Sequence, residues 1–173
     1  MAVNEEVADN GGLDWSGRII GRRKGLAREM AEIVIPEGTA PQTPQTREER
    51  LDYGRSVLGA VVGEAGAGIV RTLEDVSPAL GEQVLLGFGE VYARPQLGPR
   101  DRQLLTLGML TALGGCEPQL ELHINVALNV GLTASEIVEA LLHASAYCGF
   151  PRALNATFVA KRVFAERGLL PVE

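Results

Sequence analysis

The chain has 173 residues, 46% of them apolar, which is enough for one substantial core with a short appended segment. Its formal charge of −6 and pI near 5.0 argue against nucleic-acid binding, which needs several phosphate-facing cations, but leave room for a small anionic ligand where arginines gather. Cys116 and Cys148 are too far apart for a CxxC redox pair and fit no zinc spacing, and no signal peptide or membrane-spanning apolar run is visible, so a soluble, cytoplasmic protein with no metal and no membrane partner is expected.

Residues 1–14 are acidic and glycine-containing. Residues 18–28 then carry five basic side chains, Arg18, Arg22, Arg23, Lys24 and Arg28, and no acidic one. Such a run suits a solvated face or an inter-subunit arm as well as a binding site. The following segment, rich in proline, threonine and glutamine, reads as a linker. Trp15, the only tryptophan, would be costly to expose, so this arm is expected to lie against its own domain or a neighbouring subunit.

From residue 47 onward helical patterns dominate. Thr46 and Glu49 fit a capping box for a first helix whose buried side would hold Leu51, Val57, Leu58, Val61 and Val62. Ser77 as cap and Pro78 at the first helical position predict a second helix to about residue 92. The segment ARPQLGP interrupts the pattern before a third helix over 99–113. Pro118 starts and Gly131 closes the helix that carries His123. Thr133 and Glu136 form another capping box for a helix ending near Gly149. Pro151 opens the last helix, with Ala153, Leu154, Phe158 and Val163 as apolar anchors and Gly168 as its stop. Strand-like runs are nearly absent, so the fold is all-α with short antiparallel connections. The division expected is an N-terminal arm and linker over 1–45, a compact helical domain over 46–168 and a tail over 169–173.

The chain has two histidines. At about 100° per residue, His123 shares a helix face with Leu120, Ala127 and Val130. That placement fits a histidine satisfied within the core, and equally a groove-facing acid or base. Glu139, His143 and Tyr147, at four-residue spacing, line one face of the next helix, either as a solvated stripe or as a row that orients a histidine and presents a phenol. Arg94, Arg100 and Arg102 surround the entrance to the third helix, and Arg152 follows a similar turn. Guanidinium forks beside helix N-termini suit a carboxylate, although pairing with Asp101 and Glu90 is the competing reading. Glu90, if buried beside His123, could fix its tautomer or carry a proton itself.

The ordered run FGEVYARPQLGPRDRQLLTLGMLTALGG, then ELHINVALNVGLTASEIVEALLHASAYCGFPRALNA, resembles the carboxymuconolactone decarboxylase family from about residue 47 to 168. The resemblance implies an all-helical protomer, assembly as a homotrimer or homohexamer, and cofactor-free chemistry in pockets near subunit contacts. The family's peroxide-reducing branch carries a CxxC pair that is missing here, so peroxidase chemistry is not expected. The decarboxylating branch would hold an organic acid or lactone with Arg102 and Arg152, among Arg94, Arg100 and His143. Tyr147 or a backbone N–H would stabilise the developing oxyanion, and His123 or, second, Glu90 would deliver a proton. Phe88, Tyr92 and Phe150 would supply apolar contacts. The first 45 residues exceed a minimal family domain. They leave open a cofactor-free isomerase or cyclase acting on an aromatic or polyketide-derived intermediate in biosynthesis, or a non-catalytic helical binding or assembly protein.

Overall fold

A computed structural model of the protein describes Gly12–Leu13, Ile19–Ile20 and residues 46–173. The chain divides into two units, Met1–Glu32 and Ile33–Glu173. In the first, β1 (Gly12–Leu13) and β2 (Ile19–Ile20) pair antiparallel, Gly12 opposite Ile20 and Leu13 opposite Ile19. The expectations placed on Trp15, on the basic run and on the linker lie outside the described residues.

The described part of the second unit is all-α. Helix α1 (Arg47–Val62) opens on the expected capping box, in which the Thr46 hydroxyl accepts from the Glu49 backbone N–H and the Glu49 carboxylate accepts from that of Thr46. Helix α2 (Glu64–Thr72) was not anticipated. Its glycines lower helix propensity, but buried Gly66 lets α2 fold back over Leu58 and Val62 of α1, where an added Cβ would meet both side chains at 3.0 Å. Helix α3 (Pro78–Gly87) begins where Pro78 predicts, although Ser77 makes no side-chain capping bond. The helix expected to continue to residue 92 instead widens into a π-helical turn over Phe88–Tyr92, where the Ala93 N–H reaches the Phe88 carbonyl.

Four longer helices follow: α4 (Pro99–Leu113), α5 (Glu117–Asn129), α6 (Ala134–Cys148) and α7 (Phe150–Glu166). Thr133 and Glu136 complete the second capping box, and Gly131, Gly149 and Gly168 take positive φ at the turns where the sequence stops its helices. Helix α4 packs on α5 and α6, and α7 packs on the same two, closing a four-helix bundle. Its core holds Leu107, Leu120, Ile124, Ile137, Leu141, Val159, Val163 and Phe164. A second core joins Val57, Leu58, Val61 and Leu85 to Val126 and Val130 of α5. The anchors of α7 differ from the expectation. Ala153 and Val163 are buried, but Leu154 and Phe158 lie on the exposed side, and Ala156, Val159, Ala160 and Phe164 fill the interior instead. Among the described residues, no helix is long and apolar enough to cross a membrane.

Helices α1 and α3 approach so closely at Gly54 that a Cβ there would lie 2.0 Å from the Leu85 carbonyl oxygen, whereas one at Gly59 would meet nothing within 4 Å. Gly54→Ala is therefore expected to destabilise the domain by about 1–3 kcal/mol through overpacking. Gly59→Ala should be neutral or stabilise by up to ~1 kcal/mol through helix propensity. Thermal unfolding followed by far-UV circular dichroism measures both, and equal effects would remove the close approach as the cause.

Candidate functional site

The site is built around α5. Leu120, Ile124 and Ala127 face the four-helix core, while Leu122, Val126 and Val130 face the core shared with α1 and α3. His123 lies between these two faces, half-buried, on the side that meets α4. There its Nδ1 is 2.9 Å from Oε1 of Gln103. Gln103 is completely buried, and its Nε2 has no hydrogen-bond partner. Removal of the ring from water holds the His123 pKa below its ordinary value of 6.5, so the neutral imidazole prevails at neutral pH.

Glu90 does not meet His123. It sits exposed on the π-helical turn and pairs with Arg50 of α1. The same turn stacks Phe88 on Tyr92, with ring centroids 4.4 Å apart, and the Tyr92 hydroxyl lies 3.4 Å from that of Thr106. Arg102 covers the Tyr92 ring at 5.8 Å and donates to the carbonyls of Leu97, at 3.1 Å, and Arg94, at 2.8 Å. It thereby fixes the turn that leads into α4. Arg100 is similarly engaged, donating to the Gly131 carbonyl at 2.7 Å and pairing with Glu136, which ties the start of α4 to the start of α6. Arg152 makes no ion pair among the described residues. It borders a small cleft with Gly114, Cys116 and Asn155, and its side chain would touch a Cβ at Gly114. Arg94 and Phe150 are exposed.

The row of Glu139, His143 and Tyr147 holds together as a row. Both aromatic rings are exposed, 5.3 Å apart at 55°, along a groove of about 660 Å³ between α4 and α6. The groove is otherwise lined by Leu104, Leu105, Gly108, Met109, Ala112 and Ala140. On α4 these residues lie opposite the face that carries Gln103, so within one protomer His123 and Tyr147 stand on opposite sides of that helix. Gln103 is the residue that the sequence reading missed. In DRQLLTLG it sits four residues before Leu107 on the same face, and that spacing could have marked it as a buried amide.

Comparison with known proteins adds a separate line. Residues 78–162 match the profile described as the carboxymuconolactone decarboxylase family. A 4-carboxymuconolactone decarboxylase of Acinetobacter baylyi is 35% identical over 130 residues, covering 72% of this chain and 93% of that protein. A nitrosuccinic acid decarboxylase of Metarhizium robertsii is 43% identical over 121 residues, covering 66% and 78% respectively. An uncharacterised 15.0 kDa protein of Paracoccus denitrificans is 34% identical over 99 residues, covering 56% and 74%.

The Arg100 clasp generates a pH-dependent prediction. Burial alone would raise the Glu136 carboxyl, but bonds from the Thr133 backbone, from Arg100 and from the Thr133 hydroxyl outweigh it and hold the pKa below its ordinary value. A depressed folded-state pKa stabilises above the unfolded value, and that contribution is lost as pH falls through the folded one. Glu136→Gln, which keeps the capping geometry, should therefore be less stable than the parent at neutral pH. The difference should close on acidification below the ordinary carboxylate range, as read by urea unfolding across pH.

Proposed function

Because this chain belongs to the carboxymuconolactone decarboxylase family, we propose that it is a carboxy-lyase that removes carbon dioxide from a carboxylated lactone or related cyclic organic acid without a cofactor. The observation that carries this reading is the match, over 93% of its length, to a protein that bears the name of that reaction. Chemically, the bond to the carboxylate breaks, its electron pair passes into the conjugated carbonyl as a dienolate, and carbon then takes up one proton to give the enol lactone. The site must therefore hold an acid, steady a developing oxyanion and admit a proton.

His123 is the group we place at the reacting atoms. Gln103 occupies its Nδ1, which leaves Nε2 for the substrate. Arg152 and Arg94, neither of them ion-paired among the described residues, are available for the substrate carboxylate, whereas Arg100 and Arg102 are committed to the protein. Glu90 would have to leave Arg50 before it could serve as a proton donor. The 43% identity to a nitrosuccinic acid decarboxylase favours a second substrate, an open-chain nitro diacid, in which the nitro group is the electron sink in place of the carbonyl.

The protomer is proposed to assemble as a homotrimer or homohexamer. Leu105, Met109 and Leu113 of α4, with Phe150, Leu154 and Phe158 of α7, form exposed apolar rows that favour burial by another copy. His143 and Tyr147 lie along the groove beside the α4 row and would face that neighbour. Cys116 and Cys148 are free thiols, which supports a reducing, cytoplasmic setting.

Purified protein incubated with authentic 4-carboxymuconolactone should release carbon dioxide together with a product of enol-lactone mass, well above a control without enzyme. Turnover of nitrosuccinate alone would move the assignment to the open-chain substrate. His123→Ala should lower kcat by about 10²–10⁴-fold without changing the assembled mass, as expected for a group acting in proton transfer or oxyanion stabilisation, and undiminished turnover would remove its role. Met109→Glu combined with Phe158→Glu should shift light-scattering mass toward the monomer, and an unchanged mass would place the interface elsewhere.

A further inference from the structure

Gln103 and His123 raise a hydrogen-bonding problem whose solution bears on the chemistry. An amide presents nearly the same outline with its oxygen and nitrogen exchanged, and the hydrogen-bond network decides which of them faces a neighbour. With Oε1 toward His123, the imidazole Nδ1–H donates, and the amide nitrogen keeps two buried N–H groups with no acceptor. With the nitrogen toward His123, one N–H donates to Nδ1 and a carbonyl oxygen takes the unpartnered position. Buried N–H groups without partners are rarer and costlier than under-satisfied carbonyl oxygens, and the exchange removes one of the two.

We infer that Gln103 donates through its amide nitrogen to Nδ1 of His123 and so holds the ring as the neutral Nε2–H tautomer, presenting a fixed hydrogen-bond donor to the substrate. Gln103 is a positioning residue. It touches no reacting atom and works through the ring it orients. The ring's surroundings agree. Desolvation is the cause that lowers the His123 pKa. Nearby ionic groups are engaged elsewhere: Glu121 on α5 pairs with Arg162 at 3.4 Å, Arg100 on α4 with Glu136, and Arg102 with two backbone carbonyls, while Asp101 is exposed. A neutral Nε2–H is a poor proton source but a good partner for a developing oxyanion, because it places a dipole there without first having to charge the ring. On the decarboxylase reading, His123 therefore steadies the dienolate oxygen, or a nitronate oxygen in the open-chain case, and the proton added at carbon comes from water. The substrate part of this inference rests on that reading, but the tautomer does not.

The test uses the full-length protein labelled with ¹⁵N-histidine and long-range ¹H–¹⁵N correlation spectra at neutral pH, without substrate. His143→Gln assigns the two rings. His123 is expected to show an unprotonated Nδ1 and a protonated Nε2. In Gln103→Glu the carboxylate accepts from Nδ1–H instead, so Nδ1 should become protonated and the ring's titration midpoint should rise by at least about one pH unit. A protonated Nδ1 in the parent protein, a mixture of tautomers, or a ring unmoved by Gln103→Glu would each overturn the inference. Should Gln103→Glu fail to fold, the parent spectrum decides alone. Because no turnover is measured, failure of the tautomer assignment is distinct from failure of the decarboxylase reading.

Discussion

The two-sided burial of α5 is the constraint on which the rest of this domain depends. A helix at the surface of a bundle needs one apolar stripe, but α5 carries two, Leu120, Ile124 and Ala127 on one side and Leu122, Val126 and Val130 on the other. It can satisfy both only as a shared wall between the four-helix bundle and the α1–α3 layer. A polar side chain at the seam of such a wall must find its partner inside the protein, and the neighbour available to His123 is Gln103. Chemistry and architecture thus meet at one hydrogen bond.

Much of the architecture was legible in the sequence because its signals are local. Capping boxes at Thr46 and Thr133, prolines at helix starts and glycines at helix ends act within one turn of the chain, and the helices they delimit form where expected. What was not legible depends on packing. Helix α2 is weak by propensity and exists because Gly66 lets it lie against α1, and the π-helical turn ends α3 five residues early. Leu154 and Phe158 have the right polarity for a core and face outward, because the small side chains of Ala153, Ala156 and Ala160 let α7 pack closely against the bundle.

The site was legible in part and for the same reason. Helical spacing placed His123 on an inward face and grouped Glu139, His143 and Tyr147 correctly, since both are properties of a single helix. Spacing could not show that the two groups lie on opposite sides of α4, or that Gln103 reaches across to the imidazole. The arginines illustrate the limit most clearly. Four were grouped by their nearness to helix entrances, yet Arg100 and Arg102 spend their donors on the turns that set the pitch of α4, and Arg152 stands apart at its own cleft. A guanidinium near a helix start serves the backbone as readily as it serves a substrate.

The π-helical turn has a consequence for how this domain could vary in length. A turn closed by a bond from Ala93 to Phe88 holds one residue more than an α-turn, and that surplus sets the rotation of everything after it. Deleting a single residue within FGEVY would restore ordinary helical pitch and swing Tyr92 around the axis by about 100°, away from Phe88, Thr106 and Arg102. The lid of aromatic and guanidinium groups over the start of α4 would come apart with no element lost. A one-residue insertion or deletion at this point, which an alignment would score as trivial, is therefore a switch between two different approaches to the same helix.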